Sequence, residues 1–307
     1  MSKSIPEILQ KVRRRSEKFL GFGPRVSENL TGFLNNEDVR MLAAKPILPG
    51  VDQLSFYNPS KEIQERYVGA SFTATFTQAA EFLNYLIEHQ YPAGVSSNSD
   101  LKVLDYGCGW GRMLRILRSR KEFQSISFYG CDPLRDAIEI CRRSIPDVYI
   151  TRCSLYPPSD YRDGLFDLIY AYSVFSHLSE DCHLAWAAEF ARILKPRGTV
   201  CVTTQARSLI QVCEEYRSGK RAVVSEWHKV LSKSFSEPDV AARYDAGELQ
   251  YSPTGGGDEL VKQTYGEAIV PKQFFEKRWS EFGFELVDWW EDPALLGQNR
   301  AFLRKSG

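Results

Sequence analysis

The sequence predicts an α/β fold: a seven-stranded, mostly parallel sheet whose last strand is antiparallel, with helices on both faces, an N-terminal helical extension and an insertion after the fifth strand. Three observations carry that expectation. From residue 101 to 204, short apolar runs alternate with stretches of helical periodicity, the pattern of repeated strand and helix units. The turn after each strand collects glycines and polar residues, as where a parallel sheet presents its carboxyl edge to a ligand. Two strand-like segments, Phe284–Trp290 and Asn299–Arg304, then follow one another near the end of the chain and read as an antiparallel finishing pair.

With 307 residues the chain can bury the core of one large domain with extensions. Residues 1–64 read as an extension packing on the core, and residues 65–307 as the core domain. Ile8, Leu9, Val12 and Phe19 beside Lys11, Arg13, Arg14 and Arg15 fit an amphipathic helix over Ile5–Phe19 with a solvated cationic face. Gly21–Pro24 breaks it, and Pro46, Pro49 and Pro59 keep the next stretch irregular. The aromatic residues Phe56, Tyr57, Tyr67 and Phe72 then either pack the extension onto the domain or help close the mouth of a pocket.

The first core helix is expected over 71–90, where Phe76, Ala79, Ala80, Phe82, Leu83, Leu86 and Ile87 recur at helical spacing. A polar stretch, 94–100, leads into the opening strand formed by Leu101, Val103 and Leu104. Further strands are expected at 125–131, 147–153, 166–172 and 199–204. The helix after Ser179-Glu180-Asp181 has a capping serine and acids in its first turn, and Lys195-Pro196-Arg197-Gly198 stops it. Residues 206–266 read as the insertion, with helices near 207–216 and 225–231; starting beside the ligand edge, it suits a substrate lid. Pro271 opens a helix containing Phe274, Phe275 and Trp279.

The chemistry concentrates in Asp105-Tyr106-Gly107-Cys108-Gly109-Trp110-Gly111-Arg112. Glycines here let a ligand lie against the main chain, with the amides of the helix start turned toward it. A dinucleotide fingerprint would need its third glycine at position 112, where Arg112 stands. Asp105, ending the first strand, can pair with a cationic amino group. Asp132, ending the second strand, is placed to accept hydrogen bonds from both hydroxyls of a ribose, and the same carboxylate could cap the following helix.

These residues belong to an ordered set of blocks: Val103–Gly109, Tyr129-Gly130-Cys131-Asp132-Pro133, Phe166-Asp167-Leu168-Ile169-Tyr170, Ser176-His177-Leu178, Leu194-Lys195-Pro196-Arg197-Gly198 and Gln298–Lys305. In them, residues 65–305 or so resemble the class I S-adenosylmethionine-dependent methyltransferases, and among these a bacterial subgroup associated with sugar and cell-surface glycan modification. The resemblance implies a Rossmann-like sheet, S-adenosylmethionine as cofactor and S-adenosylhomocysteine as product. It implies cofactor contacts from Asp105, Gly107, Cys108, Gly109, Gly111, Arg112, Asp132 and Pro133, and from Ala171, Tyr172 and Ser173 after the fourth strand. Ser154 and Leu155 would lie against the adenine, although this loop lacks the acid that the family often has there.

Composition narrows the partners. Basic and acidic residues balance at 39 each, so no global field draws the chain to nucleic acid. No apolar run is long enough for a membrane span and the N-terminus lacks the apolar core of a signal peptide, which points to the cytoplasm. Seven cysteines without a C-x-x-C pair read as free thiols, with no disulfide framework and no metal site. The expected partner is a small-molecule or glycan acceptor, with the oligomeric state left open.

Methyl transfer from a sulfonium is an in-line displacement, and the protein mostly supplies alignment. A sugar hydroxyl is a poor nucleophile at neutral pH and gains from a base beside the methyl group. His177, just beyond the fourth strand, is the first candidate; a backbone-bonded, loop-shaping role is the equal alternative. Tyr265 and Glu267 are further candidates if the insertion folds back, while His183 reads as structural. The leading function is therefore methyl transfer to a hydroxyl. Transfer to nitrogen or carbon on the same fold, or a binding protein without turnover, are the alternatives.

Overall fold

The computed structural model describes residues 34–43, 58–90 and 100–307, except 146, 258 and 296. The helix expected over Ile5–Phe19, the rings of Phe56 and Tyr57 and the linker 94–99 lie outside the described residues. The strands are β1 (Lys102–Tyr106), β2 (Ser127–Asp132), β3 (Tyr149–Arg152), β4 (Phe166–Ala171), β5 (Leu194–Gln205), β6 (Gln250–Ser252), β7 (Glu267–Ile269), β8 (Phe284–Trp290) and β9 (Gln298–Lys305). The first five run parallel in the order β3-β2-β1-β4-β5. β9 then pairs antiparallel with β5, and β8 antiparallel with β9.

Those seven strands are the ones expected from the sequence, but among the described residues the sheet has nine. The added pair, β6 and β7, is antiparallel and joins the sheet at a single register pair, Gln205 with Ile269. Three residues each are too few to show an alternating pattern in sequence. β5 also starts five residues earlier than expected, because Leu194 pairs with Phe166 before an irregularity that carries Arg197 at φ 62.

Alternation along the strands explains why both faces of the sheet are covered. Val103, Phe128, Leu168, Tyr170 and Cys201 enter one buried cluster with Phe82, Leu83 and Leu114. Their neighbours Leu104, Ile169, Ala171, Val200 and Val202 enter the other with Trp186, Phe190 and Trp279. Side chains two apart share a face, so near-continuous apolar strands need helices on both sides.

The helices that supply this cover are α1 (Asn36–Ala43), α2 (Lys61–Val68), α3 (Thr73–Gln90), α4 (Arg112–Arg118), α5 (Arg135–Ser144) and α6 (Glu180–Ile193). The boundary drawn after residue 64 falls inside α2, which Arg66 ties to α5 through Asp136 at 2.9 Å. Ser179 precedes α6 but makes no side-chain cap; its amide instead donates to Thr264 O at 3.1 Å. After Pro271 the chain forms a short helix over Lys272–Phe274, a wide turn over Phe275–Trp279 and a tight one over Ser280–Phe282. Phe274, Phe275 and Trp279 are all buried.

The insertion holds α7 (Ser208–Arg217), α8 (Glu226–Leu231) and α9 (Val240–Asp245). Ser225 caps α8 by accepting from His228 N at 3.2 Å. Leu209, Val212, Tyr216, Leu231, Phe235 and Val240 form its own small core, which closes on Ile269 of β7. The chain then returns against the loop after β4: Gly266 N donates to His177 O and Ala268 N to Ser176 O, both at 2.8 Å.

Gly111 is needed for packing rather than for a ligand. It starts α4 at φ +80, and a Cβ there would stand 2.5 Å from Ile145 Cδ1 and 2.9 Å from Cys141 Sγ. Gly111→Ala is expected to destabilise the protein by about 2–4 kcal/mol, from left-handed backbone strain plus overpacking. A urea midpoint equal to the parent's would refute this.

Candidate active site

Strand order reverses between β1 and β4, so their carboxyl ends flank the crevice in which such sheets hold ligands. A cavity opens there. Asp105, Gly107, Cys108, Gly109 and Arg112 line it from β1 and the glycine turn, and Asp132 and Pro133 from the end of β2. Leu155, Tyr172, Ser173 and Tyr265 complete the sequence-derived residues on its wall. Ala171 is buried in β4, and neither Gly111 nor Ser154 lines the cavity.

The turn is not the row of free amides that its glycines suggest. Gly107 N and Cys108 N both donate to Cys131 O, at 2.8 and 3.0 Å, and Gly111 N donates to Cys108 O at 2.9 Å. Gly109 N donates to Asp132 Oδ2 at 2.9 Å. What the turn offers a ligand is proximity: at Gly109 (φ +52) a Cβ would meet nothing within 4 Å, whereas at Gly107 it would strike Val174 Cγ2 at 2.3 Å. Only the middle glycine faces open space.

The two acids differ in environment. Asp105 is 3% exposed, and burial pushes its carboxyl up to about 8, against the Tyr170 hydroxyl and the charge of Arg112, which favour ionisation. Asp132 is raised by burial to about 6, with the amides of Leu134 and Gly109 opposing the shift. Its Oδ1 accepts from Leu134 N at 2.9 Å, so it braces both the start of α5 and the glycine turn. Each oxygen keeps a second lone pair for a ligand. Arg112 is buried, with Nη1 donating to Thr75 O at 2.7 Å and Gln78 Oε1 at 3.1 Å, and its guanidinium 5.3 Å from the Tyr172 ring.

Beyond β4, three candidates from distant parts of the chain meet. The His177 ring stacks on Tyr265 with centroids 4.9 Å apart. Its Nδ1 lies 2.8 Å from Gly266 O and 3.8 Å from Glu267 Oε2. Only Tyr265 of the three lines the cavity, so His177 and Glu267 stand behind it. Burial raises both the Tyr265 phenol and the Glu267 carboxyl. His183 is remote from this group: Trp279 Nε1 donates to its Nε2 at 2.9 Å, and burial pushes it down to about 3, keeping the ring neutral.

Residues 103–198, which span the glycine turn, both acids and the loop after β4, match the family model described as a methyltransferase domain. The matched residues carry a methyltransferase domain. Among solved structures, it is similar to an S-adenosylmethionine-dependent methyltransferase from Mesorhizobium loti (14% identity over 70% of this chain and 95% of that one, TM-score 0.47). It is also similar to one from Aquifex aeolicus (12% identity, 72% and 87%, TM-score 0.43) and to the [4+2]-cyclase SpnF (18% identity, 75% and 83%, TM-score 0.47).

The residues present suit S-adenosylmethionine, the cofactor that the sequence resemblance implies. A buried carboxyl at Asp105 faces the cavity, and the space over Gly109 admits a ligand against the backbone. Among the described residues no group of His, Cys, Asp and Glu is arranged to hold a metal ion, and no helix is long and apolar enough to cross a membrane.

Several residues of the cavity wall have no role that the sequence marks. Val68, Gln78, Leu260 and Gln298 line the cavity from α2, α3, the insertion and β9. Tyr67, of the aromatic cluster before the first core helix, also lines the cavity. Gln298 is held by Thr203 Oγ1, which donates to its Oε1, while its Nε2 donates to Ser173 Oγ at 2.8 Å. Ser173 sits at φ 60, a costly conformation for a residue with a side chain. A single polar residue at a strand start has no periodicity that would mark it.

Proposed function

We propose that this methyltransferase moves the methyl group of S-adenosylmethionine to a hydroxyl of a sugar, a glycan or another small acceptor. Bound S-adenosylmethionine supplies an electrophilic methyl on a sulfonium. In this reading Asp105 holds the cofactor's amino group, Asp132 its ribose, and Leu155 packs beside the adenine. Tyr172 and Ser173 line the side toward the acceptor. His177 takes the proton that the acceptor hydroxyl loses, with Tyr265 between it and the cavity as the residue that must give way or relay.

The observation that supports an oxygen acceptor is the convergence of His177 and Glu267 behind Tyr265, which lines the cavity. An alcohol needs its proton removed as the new bond forms, whereas a neutral amine attacks first and loses its proton afterwards. A proton-accepting ring beside the site therefore serves a hydroxyl most. Incubation with isotopically labelled S-adenosylmethionine and a panel of nucleotide sugars, free glycosides and glycans tests this. NMR of the product is expected to place the label on oxygen; a label on nitrogen or carbon would overturn the reading.

A further inference from the structure

We propose that Glu267 and Trp227 are positioning residues for His177: through the Trp227 indole, the insertion holds a buried carboxylate beside the imidazole, stabilising the ring once it has taken a proton. The proposal rests on the reading of His177 as the base. It adds a device by which the insertion, rather than the sheet alone, sets that base's state.

The tautomer follows from the carbonyl. Gly266 O can only accept, so its 2.8 Å contact puts the neutral ring's proton on Nδ1 and leaves the lone pair on Nε2. Glu267 Oε2, at 3.8 Å from Nδ1, is too far for a hydrogen bond and within ion-pair distance. The carboxylate therefore adds charge stabilisation without competing for the Nδ1 proton.

The carboxylate itself is poorly served by anything else. Glu267 is 4% exposed, and Oε2 has no hydrogen-bond partner among the described residues. Oε1 accepts from Trp227 Nε1 at 3.0 Å, a contact delivered by α8 of the insertion. Among the groups packed around it, the Tyr265 phenol and the Cys213 thiol of α7 are held neutral by burial. The His177 ring and the Trp227 N–H are the two that favour its ionised form. A buried carboxylate with one unmatched oxygen is costly, and a cationic ring at 177 relieves that cost. Loop, strand and insertion thus meet at one charge pair that forms only when the base is protonated.

The test is a histidine-detected NMR titration of the full chain saturated with S-adenosylhomocysteine; the chain has 4 histidines to assign. The neutral His177 ring is expected to carry its proton on Nδ1. Glu267→Gln is expected to move the His177 titration down, as for loss of a neighbouring negative charge. Trp227→Phe moves it in the same direction by less, and His89 stays put in both variants as the check on folding. A proton on Nε2 in the parent, or a His177 titration unmoved by Glu267→Gln, would overturn the proposal. Because the titration needs neither acceptor nor turnover, failure of the base reading shows separately, as a His177→Ala enzyme that methylates at the parent rate while the coupling persists.

Discussion

Asp105→Asn is expected to weaken S-adenosylhomocysteine binding by about 10²–10³-fold at pH 8.5, since it removes one member of a buried charged pair. The loss should shrink at pH 6.5. Burial raises the parent carboxyl to about 8, so below that pH the free site is largely neutral and must release a proton before it can pair with the ligand's ammonium. Parent affinity therefore rises as pH approaches 8, by at most about tenfold per unit, while the asparagine variant stays flat. Calorimetry in two buffers of different ionisation enthalpy should find a proton released on binding at pH 6.5. Flat parent affinity from pH 6.5 to 8.5 would remove Asp105 from the amino-group site.

Stability moves in the opposite sense. A carboxyl whose folded value lies above its unfolded one adds stability that is complete below about pH 4 and lost as pH rises through about 8. The difference in melting temperature between parent and Asp105→Asn should follow that course without ligand. Saturating S-adenosylhomocysteine should reverse it, because the bound ammonium makes the ionised form the favoured one.

His177→Ala is expected to lower kcat by about 10²–10⁴-fold, the usual contribution of a general base, once the acceptor screen has supplied a substrate. The affinity for S-adenosylhomocysteine should change by less than about twofold, since the ring lies behind Tyr265 rather than on the cavity wall. Equal losses in both measurements would mean that His177 only shapes the loop. His177→Gln adds a control, because an amide N–H can replace the donor to Gly266 O but cannot take a proton.

How much of this was legible depended on the length of the pattern each feature writes into the sequence. Val103 against Leu104, or Ile169 against Tyr170, face opposite sides of a doubly covered sheet, and runs of that kind mark a strand directly. Asp105 and Asp132 were legible because each ends such a run. Gly111 was misread, since spacing cannot separate a glycine opened for a ligand from one pressed against Cys141 and Ile145. The amides of the turn were misread for the same reason, as their partner, Cys131 O, is 20 or more residues away in sequence. Gln298 stands in the closing block but with no role marked, and Trp227 is unmarked, because their roles arise from contacts across the fold, Gln298 with Ser173 and Trp227 with Glu267.

The inward-turned amides at Gly107, Cys108 and Gly109 have a thermodynamic corollary. A loop whose donors are already matched by Cys131 O and Asp132 has its shape before any nucleoside arrives, so docking does not have to pay for ordering it. Discrimination between the methyl donor and its spent product must then come from the far rim, where the sulfonium charge is felt, and not from the cradle beneath.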